Sequence, residues 1–192
     1  MRLKKSVIGA CAALGLFGLT CAASAEVFSG NFLLSGDQQV PPNDSNAIGA
    51  GQIVFDSDNQ TFDLSLAIFG IGLDDLMNVG PNSTPVHIHM APPGSNGPIV
   101  IDVGFFASFQ QQGLGLTLDI EDVPFGGQQG NVFSDIDDNI AALQQGNLYV
   151  NIHTSDFPGG EIRGQLPAIP APGALALLGV AGVMTGRRRR AT

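Results

Sequence analysis

Polar and apolar residues alternate strictly in two short blocks, and this constrains the fold of the chain more than any other feature. The first block is Val86-His87-Ile88-His89-Met90, followed by Asn96-Gly97-Pro98. The second is Tyr149-Val150-Asn151-Ile152-His153-Thr154, which runs through Pro158-Gly159-Gly160 into Glu161-Ile162-Arg163-Gly164-Gln165-Leu166. Side chains on a strand point to alternate faces. Val86, Ile88 and Met90 therefore share one face, and His87 and His89 share the other. In the second block Leu148, Val150 and Ile152 oppose Tyr149, Asn151 and His153, and further on Ile162 and Leu166 oppose Glu161, Arg163 and Gln165. All three histidines, and the one basic residue between the two ends of the chain, lie in these blocks. If the strands are neighbours, the fold gathers three imidazoles, a guanidinium and a carboxylate on one surface.

The same period recurs elsewhere. Phe28, Gly30, Phe32 and Leu34 alternate, as do Phe62, Leu64, Leu66 and Ile68, while Ile53 and Phe55 precede a turn over residues 56–60. Strand signals continue at 86–90, 99–105, 114–120, 148–154 and 161–166. One segment departs from the pattern: Phe133, Ile136, Ile140 and Leu143 fall at helical spacing, with Ser134 as N-cap and Gly146 as terminator. This predicts a helix over 134–145. Segments 74–85 and 123–131, rich in Gly, Pro and Asn, read as surface loops. The architecture expected is an all-β antiparallel sandwich with one short helix. At about 140 residues it is large enough to bury its own core.

Both ends read as addresses rather than fold. Met1-Arg2-Leu3-Lys4-Lys5, an apolar run over 7–23 and small residues at Ala23 and Ala25 form a secretory signal peptide, cut before Glu26. A lipoprotein reading at Cys21 is weakened by Thr20 and Gly18. Both cysteines, Cys11 and Cys21, fall in the removed segment, so the exported chain carries no disulfide and no thiolate ligand. A Pro-rich linker spans 167–173, and 174–192 holds a short apolar run ending in Arg187, Arg188, Arg189 and Arg190. Counted from residue 174 the run is too short to span a bilayer. The arginines would stay on the cytoplasmic side, leaving the domain outside. Proline motif, apolar run and terminal arginines together resemble the PEP-CTERM sorting signal, which implies an exosortase-like sorting protease as partner. Here Pro170-Ala171-Pro172 stands where P-E-P is expected. A permanent membrane anchor is the alternative.

Without its ends the chain is strongly acidic. All seventeen acidic residues lie between Glu26 and Glu161, against Arg163 alone, a net charge of −16. Such a domain repels nucleic acid and anionic lipid and favours cation-rich surroundings. Asp56-Ser57-Asp58-Asn59 and Asp135-Ile136-Asp137-Asp138-Asn139 offer oxygen ligands, yet neither has the glycine and distal glutamate of an EF-hand loop.

Imidazoles at i and i+2 on a strand project the same way, and their nitrogens can converge on one ion at about 2.0–2.1 Å. His153 would complete a three-nitrogen set for zinc or copper in which one position stays open. The alternative is a polar cluster that braces the sheet. Asn151, Glu161 and Arg163 are expected beside the histidines as structural polar residues, with Glu161 or Asp156 pairing Arg163. Catalytic constellations are thin. Ser83 and Ser155 near a histidine lack a nucleophile elbow, no glycine loop cradles phosphate, and the abundant carboxylates read as solvated surface. The expectation is an exported, surface- or matrix-associated domain that binds rather than catalyses, with a three-histidine metal site as the alternative role.

Three blocks carry a family resemblance: Leu34-Ser35-Gly36-Asp37-Gln38-Gln39-Val40-Pro41-Pro42, the H-I-H block with its N-G-P, and V-N-I-H-T…P-G-G-E-I-R-G-Q-L. In this order, across about residues 27–166, they resemble the CHRD domain of chordin and many bacterial secreted proteins. The resemblance implies an all-β, immunoglobulin-like domain and supplies a fold more firmly than an activity. An H-x-H strand on a sandwich is also similar to copper-zinc superoxide dismutases. That two-metal site needs further histidines and a disulfide, and this chain cannot build it.

Overall fold

The computed structural model describes residues 27–80, 83–127 and 131–169. Its strands are β1 (Val27–Ser35), β2 (Ile48–Asp56), β3 (Thr61–Phe69), β4 (Val86–Met90), β5 (Ile99–Asp102), β6 (Gln110–Gln112), β7 (Gly115–Pro124), β8 (Leu148–Ile152) and β9 (Ile162–Gln165). One α-helix, α1 (Ile136–Gln144), precedes β8. The strands form one antiparallel sheet in the order β5-β4-β8-β9-β1-β2-β3-β7-β6. All-β architecture with a single short helix is what the period-two runs predict.

Two arms of this sheet close on each other. β1 and β9 are paired only at Ser35 and Arg163, so the sheet turns sharply there. The inward residues of one arm, Leu34, Ile53, Leu64 and Ile68, join Ile88, Val150, Ile152 and Ile162 of the other in a single buried core. Each such side chain contributes about 1.5–3 kcal/mol on full burial. At Gly164 of β9 a Cβ would come within 2.7 Å of the Phe32 and Leu34 side chains of β1. Only glycine fits between them.

The hairpin expected between the second and third strands is present, in register from Ile48↔Phe69 to Asp56↔Thr61. Its turn is held by Asp56 Oδ1, which accepts from the backbone N–H groups of Asp58 and Asn59.

Several boundaries differ from expectation. The helix starts later, at Ile136 with Asp135 at the N-cap position, and Ser134 does not cap it. The Ser134 hydroxyl instead donates to Asn139 Oδ1, and the buried Asn139 amide donates to the Phe125 carbonyl. A tertiary polar contact has displaced the local cap. The strand expected over 99–105 stops at Asp102, because the chain winds into a 3-10 turn at Val103–Phe105. Asp102 there accepts from the backbone N–H and hydroxyl of Thr84. β7 runs four residues beyond the expected end at Ile120, to Pro124, after a register shift between Phe62 and Leu64 on β3. Among the described residues no helix is long and apolar enough to cross a membrane. The positions expected for signal cleavage (Ala23, Ala25, Glu26) and sorting (Pro170, Pro172, Arg187 to Arg190) lie outside the described residues.

Candidate metal centre

β4 pairs with β8 in the register His87↔Asn151 and His89↔Tyr149. β8 pairs with β9 as Asn151↔Arg163 and Tyr149↔Gln165. Facing residues of paired strands share a side, so His87, His89, Tyr149, Asn151, Arg163 and Gln165 form one layer opposite the apolar core. His153 follows two residues after Asn151 and joins them. The parity argument therefore places the three histidines and the arginine together, as expected.

This layer is not a surface. His87 is fully buried, His153 and Arg163 are nearly so, and His89 is 9% exposed. Loops cover it. From the loop after β1, Gln39 donates to Asn151 Oδ1 at 2.7 Å, and Asn43 donates to the carbonyls of Gly160 and Glu161. From the loop after β4, Gly97 N–H donates to the Tyr149 hydroxyl, and Asn96 ties this loop to the first through the Val40 carbonyl.

The three rings meet edge to face or tilted, with centroids 5.1–6.3 Å apart. One nitrogen from each lies within 4.8 Å of the other two. Four-coordinate ligands at about 2.0–2.1 Å from a metal stand about 3.3 Å apart, so an ion would draw the rings inward. The outer nitrogens are each engaged. His89 Nδ1 donates to the Gly97 carbonyl at 3.0 Å and His153 Nδ1 to the Pro158 carbonyl at 2.9 Å. A carbonyl only accepts, so both rings carry their proton on Nδ1 and present a bare Nε2. His87 Nε2 lies 2.7 Å from the Ser83 hydroxyl and 3.9 Å from Asp102 Oδ1. Carbonyl partners of this kind on the far nitrogen orient histidines that ligate metals.

The inner nitrogens are different. His87 Nδ1 and His89 Nε2 are the two buried side-chain nitrogen or oxygen atoms without a hydrogen-bond partner among the described residues. Buried polar atoms are nearly always satisfied, and each orphan costs about 1–3 kcal/mol. Burial also keeps the rings neutral. It pushes His87 down to about 3, helped by the neighbouring His153 and His89. His89 is pushed down to about 4, chiefly by burial and against the pull of the Gly97 carbonyl. His153 is lowered by burial as well. Three neutral, clustered imidazoles, two of them with an unpartnered buried nitrogen, can hold zinc or copper.

The other polar residues are placed differently from expectation. Arg163 pairs with neither Glu161 nor Asp156. Its guanidinium donates to the carbonyls of Ser95 and Pro92 and to Gln165 Oε1. It stacks 3.5 Å above the Tyr149 ring, whose partner in stacking is His89. Glu161 instead accepts from the hydroxyls of Ser45 and Thr154, each at 2.6 Å. Two loop carbonyls and the Gln165 amide oxygen on β9 already satisfy the arginine fork, and two hydroxyls satisfy the carboxylate, so neither needs the other.

Ser83, His87 and Asp102 are close, yet they are no catalytic relay. Serine and aspartate approach the same ring nitrogen of His87, whereas a relay needs them on opposite nitrogens. Sequence reasoning weighed Ser83 only as a nucleophile and did not pick out Gly97, Pro158, Asp102 or Gln39. Gly97 and Pro158 were visible in the N-G-P and P-G-G triplets beside each histidine block.

No curated protein and no solved structure matches this chain. The family model of the CHRD domain matches residues 31–166, from within β1 to the end of β9. The match spans the sheet, both histidine blocks and the loops that cover them, and on it the chain belongs to the CHRD domain family.

Proposed function

We propose that this protein is an exported, surface- or matrix-associated binding domain that holds a zinc or copper ion between His87, His89 and His153. One observation carries the metal reading: two ring nitrogens of the cluster, His87 Nδ1 and His89 Nε2, are buried without any partner among the described residues. A cluster built only to brace the sheet would have satisfied them. The ligands are neutral at ordinary pH and their far nitrogens are fixed, so the ion meets rings already turned towards it.

The metal content of the protein purified from its host tests this reading. About one equivalent of zinc or copper is expected per chain, and none in His89→Ala. Protein that stays metal-free after exposure to both ions would leave the cluster a structural brace.

Export rests on the basic start, the apolar run and the Ala-Ser-Ala site, and on the family's common occurrence in secreted proteins. An exosortase-like protease acting near Pro170-Ala171-Pro172, with Arg187 to Arg190 held inside, would deliver the domain to the envelope or matrix. Intact-mass measurement of the native protein should place Glu26 at the N-terminus. An uncleaved cytoplasmic form as the main species would overturn the assignment.

A further inference from the structure

Taking the three-histidine reading as its basis, we infer that Asn151 is a fourth ligand, its amide oxygen brought to the ion by a joint flip with Gln39. Asn151 stands on β8 directly opposite His87 and two residues before His153. Its Nδ2 donates to His153 Nε2 across 3.2 Å, so in the metal-free protein it occupies the lone pair that an ion would use. That separation matters. Two ligand atoms on one tetrahedral ion stand about 3.3 Å apart, so the end of this amide already sits where a ligand belongs beside His153.

In its present orientation the amide presents hydrogens, which cannot coordinate and would oppose a cation. A half-turn about the last side-chain bond puts Oδ1 in the same place. The cost of that turn depends on what holds the amide now. Oδ1 accepts from Gln39 Nε2 at 2.7 Å, and Nδ2 makes a long contact of 3.4 Å with the Gly159 carbonyl. If Gln39 flips as well, its own amide oxygen accepts from Asn151 Nδ2, and the strong bond between the two side chains is kept with donor and acceptor exchanged. The long contact to Gly159 is given up, and the hydrogen bond to His153 gives way to the ion.

The surroundings hold the amide in position through either state. Gly160, at φ +123°, passes so close that a Cβ there would collide with both terminal atoms of Asn151. Other oxygen donors are committed elsewhere: Asp102 to Thr84, and Glu161 to Ser45 and Thr154. Three nitrogens and one amide oxygen supply the four positions that a tetrahedral zinc ion takes.

Zinc affinity of the full-length protein, measured by competition with a chromophoric chelator, tests the assignment on wild type, Asn151→Ala, Asn151→Asp and His89→Ala. Thermal melts of the metal-free forms check that each variant folds. Asn151→Ala should bind zinc at least about tenfold more weakly, whereas Asn151→Asp, which keeps an oxygen at the site, should bind at least as tightly as wild type. Zinc binding by Asn151→Ala equal to or tighter than wild type, with His89→Ala still deficient, would make the amide a mere occupant of the site and overturn the inference. Weak binding by folded Asn151→Asp, no better than Asn151→Ala, would overturn it too. Failure of wild type itself to bind, or equal binding by His89→Ala, would instead remove the three-histidine reading beneath it.

Discussion

Loading with zinc or copper should raise the unfolding free energy of this domain by about 4 kcal/mol once free ion exceeds the dissociation constant about a thousandfold. His89→Ala should lose the whole increment. The gain is expected because the folded chain offers three converging imidazoles, whereas the unfolded chain scatters them over 66 residues of sequence, from His87 to His153. Its pH dependence should be unusual. Three ordinary imidazoles, titrating near 6.5, would each hinder binding by about thirtyfold at pH 5. Here burial holds His87 down to about 3 and His89 to about 4, with His153 lowered in the same direction. The folded site therefore has few protons to expel, and its affinity should fall far less between pH 7 and pH 5 than three free imidazoles would dictate.

Metal-free protein behaves oppositely. The unfolded chain takes up protons near pH 6.5 while these folded rings stay neutral, so the unfolded state binds more protons in the window from about 6.5 down to about 4. The histidine contribution to stability is thus present at neutral pH and is lost as pH falls through that window. Denaturant midpoints of wild type and His87→Asn, each at pH 7 and pH 5 with chelator present, isolate it from the titration of the many carboxylates. The wild-type midpoint should fall more on acidification than that of the variant. Parallel pH slopes would show that the rings are not held neutral. A metal increment that disappears by pH 5.5 would argue against a preformed neutral site.

The placement of the histidines was readable because a strand has one simple period. Once Val86, Ile88, Val150 and Ile152 are assigned inward, His87, His89, Asn151 and His153 must share the other face. What covers that face has no period. Gln39 reaches Asn151 from 112 residues away and Asn43 reaches Gly160 from 117, so a layer expected at the surface is buried. The same limit explains Arg163. Nearby acids were the natural partners on the chain, yet the guanidinium is satisfied by the Ser95 and Pro92 carbonyls, 68 and 71 residues distant. Ser134 shows the limit locally: the residue has the chemistry of a cap, but Asn139 offers its hydroxyl a buried partner instead. Residue type and spacing reveal which groups are available, and only the loops decide which of them meet.

Arg163→Ala should cost at least about 3 kcal/mol, more than any other single polar change in this layer. The side chain is 1% exposed and ties three elements at once. Its removal strands the Ser95 carbonyl, takes one donor from Gln165 Oε1 and one from the Pro92 carbonyl, which keeps the Ser95 N–H, and uncovers one face of Tyr149. The stranded Ser95 carbonyl costs about 1–3 kcal/mol, and a desolvated stack of cation on aromatic contributes about 2 kcal/mol. Arg163→Lys should recover little, because an ammonium cannot lie flat on the ring while reaching three acceptors. The effect should extend to the metal. The loop held by Arg163 through Pro92 and Ser95 also carries Gly97, whose carbonyl fixes His89 and whose N–H holds the Tyr149 hydroxyl. Loosening that loop frees the His89 ring to turn, so zinc affinity should fall about tenfold or more in Arg163→Ala although Arg163 touches no ligand. Chemical denaturation and zinc competition on the same two variants measure both effects. A loss of stability below about 1 kcal/mol would show that the loop does not depend on the arginine. Full stability loss with unchanged zinc affinity would separate the loop from the site, leaving the ring of His89 held by its stack on Tyr149 alone.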